Sequence, residues 1–338
     1  MAACNTTSQQ TIEPTLAVSK TPLSRSESLL HTAVQLQIFH EGQEAAMEEA
    51  YTFIKEMEQL LSTNLEGSDV YKVNQAAGIE PVKVQTATYD IVKKAQEMSQ
   101  KSEGKFDITI GAVTNLWRIG STDARKPGES EIKAALPKID YRQVELNDSE
   151  QTIFLKEKGM VMELGGISKG YIADGVKRIF EKHGITTALI NLGGNVVAMG
   201  SSPSNPEGWN VGVQDPDEVR GEVVGSKRVI DGTVVTSGVY ERFLEVNGVK
   251  YHHIIDPQTG YPLDNEISGV TIFTQSSIEA DAYSTSMFLF GIEKGLAFIE
   301  AQEGVEAVFI DKNQGIHLTS GLKDTFKLTN KEYHIAHE

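Results

Sequence analysis

The chain has little cysteine and no long apolar run. Its 338 residues include one cysteine, Cys4, so no disulfide can form within the chain. Nowhere does the sequence reach the ~20 consecutive apolar residues that a membrane-spanning helix needs. Any membrane association therefore has to come from an anchor or a partner.

Positive charge is also scarce. The 31 lysines and arginines are outnumbered by 47 aspartates and glutamates, which gives a formal net charge of −16. Proteins that bind nucleic acid neutralise phosphates with clustered Lys and Arg, so the composition argues against a nucleic-acid partner. An anionic small ligand remains compatible with an acidic chain, because a metal cation or a local positive charge can receive it.

Common catalytic motifs are missing as well. Residues 40–44 begin like a zinc-protease motif, but the second histidine of that motif is absent. The sequence holds no phosphate-loop lysine motif, no dinucleotide-binding Gly-x-Gly-x-x-Gly and no esterase Gly-x-Ser-x-Gly. These absences argue against the most frequent nucleotide-binding and hydrolase classes.

The N-terminus combines a lone cysteine with a polar segment. Small residues stand directly before Cys4, as at the end of a bacterial lipoprotein signal, although the apolar part of such a signal is missing. The alternative is a chance cysteine in an unstructured terminus. Residues 5–28 are rich in Ser, Thr, Gln and Pro, which predicts a disordered tether over residues 1–28. We therefore expect that Cys4 is lipidated and that the protein is anchored to the cell membrane on its extracytoplasmic side.

Hydrophobic periodicity predicts an α+β fold. Apolar residues at helical spacing mark helices at residues 46–61, 86–100, 168–183, 278–290 and 293–301. Alternating or short apolar runs mark strands at residues 33–40, 187–192, 196–199, 209–214, 222–230, 233–237, 243–246, 251–255, 269–274, 305–310 and 315–318. Helices and strands do not alternate regularly, and no linker divides residues 30–330. We expect a single domain over residues 29–338, with mostly antiparallel strands packed against helices.

Two glycine pairs lie beside predicted elements. Gly165-Gly166 precedes a helix start, where free amides and the charge of Lys169 can attract an anion. Gly193-Gly194 joins two strands. A tight turn explains each pair as well as close approach to a ligand does.

Residues 252–262 carry two histidines before a turn signature. His252 and His253 alternate across a strand, so only one of them can face a given site. That histidine can be a general base or a structural residue. Asp256 starts the Asp-Pro-x-x-Gly turn, and either caps it or serves as an alternative base.

Residues 276–285 predict a helix start with a polar face. Ser276 and Glu279 have the spacing of a capping box. Asp281 and Thr285 lie four residues apart on one face, and their oxygens suit Mg²⁺ better than zinc. The alternative is a solvated polar stripe. Apolar residues 287–290 favour a buried helix instead, in which an aspartate needs a partner.

Taken together, these segments resemble the bacterial FAD:protein FMN transferase family, once labelled as thiamine-biosynthesis lipoproteins. The resemblance runs from about residue 32 to about residue 310. It rests on six blocks in this order, at residues 104–111, 165–170, 191–194, 236–238, 253–260 and 280–285.

The resemblance implies roles for individual residues. FAD is expected to bind at the segment of Lys105, Phe106 and Asp107 and at Asp174. Mg²⁺ is expected to bind to the carbonyl of Ser168 and the side chains of Asp281 and Thr285. His253 is expected to be the catalytic base. The sequence departs from the usual family pattern in having Ser168 in place of Ala, Leu30-His31 in place of Met-Gly, and Asn64 in place of an aromatic residue.

The implied reaction is Mg²⁺-dependent transfer of FMN from FAD to a Thr or Ser hydroxyl of an acceptor protein, with release of AMP. The acceptor implied by the family is an extracytoplasmic redox protein. Two alternatives stay open: hydrolysis of FAD to FMN and AMP, and flavin binding by a lipoprotein without catalysis.

Overall fold

The computed structural model describes residues 16–336 and is built around one large β-sheet; the predicted anchor at Cys4 lies outside the described residues. The strands of this sheet are β1 (Val18–Leu29), β2 (Thr32–His40), β6 (Ala188–Leu192), β7 (Asn195–Met199), β10 (Gly232–Gly238), β13 (Ile267–Thr274), β14 (Glu306–Asp311), β15 (Gly315–Leu318) and β17 (His334–Ile335). They lie side by side in the order in which they are named, and every neighbouring pair except β15 and β17 is antiparallel.

Within residues 16–336 the strands also form three smaller sheets. They consist of β3 (Val82–Lys83), β4 (Val144–Asn147) and β5 (Thr152–Leu155); of β8 (Trp209–Gln214), β9 (Val223–Val229) and β16 (Lys327–Leu328); and of β11 (Phe243–Val246) with β12 (Val249–His252).

The α-helices of residues 16–336 are α1 (Glu44–Leu60), α2 (Asp69–Gln75), α3 (Thr86–Lys101), α4 (Gly111–Trp117), α5 (Glu129–Ala135), α6 (Ser168–Lys182), α7 (Ser277–Phe290) and α8 (Ile292–Glu300). None of the helices in this part of the chain is long and apolar enough to cross a membrane.

Successive side chains of the large sheet enter two different cores. Val235 and Ile272 belong to the core shared with the helices, whereas Val234 and Phe273 pack with Trp209 of β8 on the opposite face. This alternation is the period of two that a strand imposes. The sheet is therefore covered by helices on one face and by the β8–β9–β16 sheet on the other, and the α+β prediction with mostly antiparallel strands is confirmed.

Helix α7 is buried on nearly all sides, as the apolar residues 287–290 predicted. Ser276 caps it by accepting a hydrogen bond from the N–H of Glu279. The carboxylate of Glu279 does not complete the capping box but pairs with Lys94 at 2.7 Å. The helix thus begins where the sequence predicts, with half of the predicted cap.

The C-terminal boundary predicted for the tether, residue 28, lies too far along the chain. Residues 18–29 form β1, an edge strand whose backbone pairs with β2. Its polar composition is compatible with an edge strand that faces water, and a register shift between Val18 and Leu23 accommodates Pro22. The hydroxyl of Tyr51 donates to the carbonyl of Arg25 and holds the strand against α1.

Candidate functional site

A cavity of about 680 Å³ opens where the turn between β1 and β2, the N-terminal end of α6, one face of α7 and residues 105–119 meet. Its size falls in the range of about 300–1,000 Å³ that is usual for ligand sites. Residues distant in sequence line it together, including Lys105, Ser168, His253 and Asp281. The structure therefore unites most of the predicted site residues in one place.

The predicted metal ligands meet at the contact between α6 and α7. Asp281 is 3% exposed. One of its carboxylate oxygens lies 3.1 Å from Nζ of Lys169, and the other accepts a hydrogen bond from the N–H of Gly170 at 2.9 Å. Thr285 lies one turn further along α7 and lines the cavity, as does Ser168 at the start of α6. The spacing predicted that the carboxylate of Asp281 and the hydroxyl of Thr285 share one face of the helix, and the structure adds the cation of Lys169 beside them.

The glycines before α6 allow this corner to form. A Cβ atom at Gly166 would stand 3.1 Å from the Phe106 ring and 3.6 Å from Oγ1 of Thr285. Phe106 is buried and lines the cavity. Gly166 therefore lets the backbone pass between a ring and a hydroxyl that both face the cavity.

Asp107 shapes the cavity wall through its carboxylate. It accepts hydrogen bonds from the N–H and the hydroxyl of Thr109, at 2.8 and 2.6 Å, and from the N–H of Tyr141 at 2.9 Å. Burial nevertheless raises the pKa of Asp107 above its ordinary value, because the hydrogen bonds offset only part of the desolvation. Its role in the structure is to hold residues 105–109 in place.

Asp174 does not line the cavity, which differs from the family-based expectation. Its two carboxylate oxygens accept hydrogen bonds from the N–H groups of Ser277 and Ile278, both at 3.0 Å. These are free amides of the first turn of α7, which a carboxylate satisfies well. Asp174 therefore docks α6 onto the start of α7.

Asp256 is likewise outside the cavity wall. It is 5% exposed, accepts a hydrogen bond from the N–H of Gln258 at 3.1 Å, and lies 3.5 Å from Nζ of Lys105. Lys105 itself lines the cavity. Asp256 therefore caps the turn and positions a cation, and the prediction that it is a catalytic base is not supported by its location.

The two histidines have separate environments. His252 accepts a hydrogen bond from the N–H of Ile254 at Nδ1 and donates one from Nε2 to the carbonyl of Leu263, so both ring nitrogens are used. His253 lines the cavity. Its Nδ1 lies 3.3 Å from the carbonyl oxygen of Arg242, which can only accept, so Nδ1 carries the proton and Nε2 is left with a lone pair.

Burial is the main reason why the pKa of His253 is lowered to about 4. The positive charges of Arg242 and Lys169 act in the same direction. A neutral imidazole with a free nitrogen is therefore present at pH 7.

The glycine pair between β6 and β7 forms a two-residue turn. Gly193 and Gly194 have φ of +63° and +104°, a conformation that glycine adopts without strain. A Cβ atom at Gly193 would stand 2.2 Å from Oγ1 of Thr32. Gly193 lines the cavity and Gly194 does not. The close approach is to the β1–β2 turn, and the turn explanation accounts for Gly194.

Three cavity residues were not assigned roles from the sequence. Glu163 accepts a hydrogen bond from Thr114, and burial raises the pKa of its carboxyl group. Ser237 lies 2.8 Å from Oγ of Ser284 on α7. Arg242 lines the cavity beside His253. Ser237 falls inside one of the six sequence blocks, but no spacing rule marks its side chain, and Glu163 and Arg242 lie outside all of them.

This geometry defines a ligand-binding site with an anion-attracting corner and a neutral histidine, on an α+β domain. A family model described as the ApbE family matches residues 30–309. The chain belongs to this family.

Relatives and solved structures agree with that membership. The chain is 35% identical to the FAD:protein FMN transferase of Treponema pallidum, over 92% of this chain and 90% of the relative. It is also 35% identical to the FAD:protein FMN transferase of Klebsiella pneumoniae, over 92% of this chain and 96% of the relative.

The ApbE protein of Thermotoga maritima superposes with a TM-score of 0.82 at 29% identity, over 90% of this chain and 99% of the other. The flavin transferase ApbE of Vibrio cholerae gives 0.80 at 25% identity, over the same shares. The sequence-based identification of the family, the fold and the transferase class is confirmed.

The pKa of His253 can be measured in the protein without any ligand. We expect NMR of labelled imidazoles in the free protein to show a midpoint at about 4 for His253, because burial disfavours the charged ring. The pKa of a histidine side chain in water is about 6.5. The His253→Gln variant identifies the resonance, and a midpoint near that of free imidazole would contradict the described environment.

Proposed function

We propose that this protein transfers the FMN half of FAD to a Thr or Ser hydroxyl of an acceptor protein, with Mg²⁺ bound at the α6–α7 corner. The observation that carries the proposal is the meeting, in one cavity, of a neutral His253 with the cations Lys105 and Lys169 and the oxygen donors Asp281 and Thr285. The names of the relatives support the same transfer reaction.

The reaction requires one bond to form and one to break. The acceptor hydroxyl oxygen attacks the FMN phosphorus, the bond from that phosphorus to the bridging oxygen breaks, and AMP leaves with the electron pair. A hydroxyl is a weak nucleophile until a base removes its proton. Nε2 of His253 has the free lone pair for this step, because Nδ1 donates to the carbonyl of Arg242.

The donor set at the α6–α7 corner fits Mg²⁺. Both Asp281 oxygens make one contact each and keep further lone pairs, and no hydrogen bond occupies the Thr285 hydroxyl within residues 16–336. In the same residues no three His, Cys, Asp or Glu side chains cluster as metal ligands. Mg²⁺ is commonly held by one or two carboxylates with water and substrate phosphates, so a single carboxylate suffices.

We propose that Asp281, Thr285 and the main-chain carbonyl of Ser168 hold the ion. When bound, Mg²⁺ would neutralise charge on the diphosphate oxygens. Lys169 and Lys105, each of which is paired with a carboxylate, would donate hydrogen bonds to the same diphosphate, and Phe106 and Gly193 would contact the flavin half.

The partner we propose is an extracytoplasmic redox protein that carries the target hydroxyl. Water in place of that hydroxyl would give FMN and AMP from the same site. The net charge of −16 continues to argue against nucleic acid.

Substitution of the two histidines tests the base. His253→Ala is expected to transfer FMN about 10²–10⁴-fold more slowly, because the hydroxyl keeps its proton, while FAD binding persists. His252→Ala is the matched control. It loses two hydrogen bonds and the contact with the ring of Phe288, but no group that lines the cavity, so its effect on transfer is milder. The measurement is mass spectrometry of an acceptor protein incubated with FAD and each variant. Equal labelling by wild type and His253→Ala would place the base elsewhere.

The metal is tested by substitution of its charged ligand. Asp281→Asn keeps the shape of the side chain but removes its charge, so the Mg²⁺ concentration for half-maximal AMP release is expected to rise at least about tenfold. Thr285→Val removes a neutral ligand and should raise it less. EDTA is expected to abolish wild-type activity and Mg²⁺ to restore it; full activity of metal-free protein would refute the site.

The anchor is a separate proposal. We propose that Cys4 is lipidated and holds the domain at the outer face of a membrane. Residues 5–17 separate it from β1, and these thirteen residues span at most about 45 Å. A multiply acylated cysteine binds a membrane firmly. We expect the native protein in the membrane fraction and the Cys4→Ser protein in the soluble fraction; unmodified native protein in the cytosol would overturn this.

A further inference from the structure

Arg242 differs from every other cation in the cavity wall. Five lysines and arginines line the cavity within residues 16–336. Four of them have a carboxylate partner: Lys105 with Asp256, Lys169 with Asp281, Arg118 with Asp123, and Arg220 with Glu241. In the described residues no hydrogen bond or ion pair engages the guanidinium of Arg242.

The backbone of the same residue holds the proposed base. The carbonyl of Arg242 accepts a hydrogen bond from the N–H of His253 at 3.1 Å and faces Nδ1 of that ring at 3.3 Å. The side chain of Arg242 passes close to Gly120, where an added Cβ atom would stand 3.0 Å from its Cδ. Backbone and stem are thus positioned by neighbours, and the residue is exposed to solvent where it lines the cavity.

The charge of Arg242 acts on two ionisable groups of the cavity wall, His253 and Glu163. It lowers the pKa of His253, and it opposes the rise that burial causes in the pKa of Glu163. The guanidinium is therefore within electrostatic range of two groups that line the cavity. A guanidinium keeps its charge at any physiological pH and binds phosphate oxygens in a fork geometry.

From these observations we propose that Arg242 is a diphosphate-binding catalytic residue. It contacts the diphosphate of FAD and stabilises the negative charge that collects on AMP as the bond to the FMN phosphorus breaks. This inference rests on the proposed function.

The chemistry of the reaction explains why loss of Arg242 should lower kcat more than it lowers the affinity for FAD. Before reaction the bridging oxygen joins two phosphorus atoms and carries little charge. As AMP leaves, that oxygen takes the electron pair, so a nearby cation interacts more strongly in the transition state than with bound FAD. Water or a hydroxyl as the attacking group makes no difference to this step.

The test compares Arg242 with an arginine that does not line the cavity. Arg242→Gln is expected to lower kcat for AMP release by about 10²–10³-fold, with either water or acceptor as the attacking group, and to weaken FAD affinity by a smaller factor. Arg125→Gln is the control, since Arg125 is paired with Glu131 at 2.6 Å and is not among the residues that line the cavity. Its kcat is expected to stay within about threefold of wild type. FAD affinity is measured by calorimetry and folding by thermal unfolding.

Chemical rescue separates a catalytic charge from a structural role. Arg242→Ala should regain AMP release when guanidinium ions are added, and Arg242→Lys should keep part of the wild-type rate because it keeps the charge. A correctly folded Arg242→Gln protein with wild-type kcat and FAD affinity would overturn the proposal. A loss of rate that neither guanidinium nor lysine restores would also overturn it, in favour of a structural role. If wild type itself neither releases AMP nor transfers FMN, the proposed function fails, and FAD affinity alone then decides whether Arg242 binds the diphosphate.

Discussion

The close contact between α6 and α7 is the constraint on which the site depends. A Cβ atom at Gly170 would stand 2.2 Å from the carbonyl oxygen of Ser277, so the helices meet at a distance that only glycine allows. This approach lets the N–H of Gly170 and the ammonium of Lys169 reach the same carboxylate, that of Asp281. Removing one partner of a buried ion pair costs about 3–5 kcal/mol. The charge arrangement of the site therefore depends directly on how closely α6 and α7 pack.

Other contacts fix the N-terminal end of α7 and connect its middle with the sheet. Asp174 reaches the first amides of α7, and Ser237 on β10 reaches Ser284, whose hydroxyl also donates to the carbonyl of Asp281. A helix that is buried on nearly all sides has no freedom to slide without breaking these bonds. The carboxylate of Asp281 is thus held in the cavity wall by residues of α6 and by the attachment of α7 to β10, which is the kind of preorganisation that charge stabilisation requires.

Sequence reasoning succeeded where the signal lies within one element. The four-residue spacing of Asp281 and Thr285 and the alternation of His252 and His253 both predicted which side chains share a face. It failed where the partner is distant. The partners of Asp174 follow it by more than 100 residues, and Asp256 meets Lys105 across 151 positions, so no local pattern shows that these carboxylates cap a helix or hold a cation. Strand β1 was missed for a related reason, since its order comes from the backbone of β2 and not from its own polar residues.

Charge balance links the cavity to its proposed ligand. Four of its five cations are paired with carboxylates of the chain, and within residues 16–336 only the guanidinium of Arg242 has no such partner. The carboxyl groups of Glu58, Asp107 and Glu163 also line the cavity and add no positive charge to it. Each phosphate of a diphosphate diester carries about one negative charge at neutral pH. One guanidinium therefore balances only half of the ligand, in a chain whose net charge of −16 repels anions at long range. The Mg²⁺ that we propose at Asp281 would supply the missing charge, so the proposed metal site gives an acidic chain an electrostatic reason to bind FAD together with a metal ion and not as the free dianion.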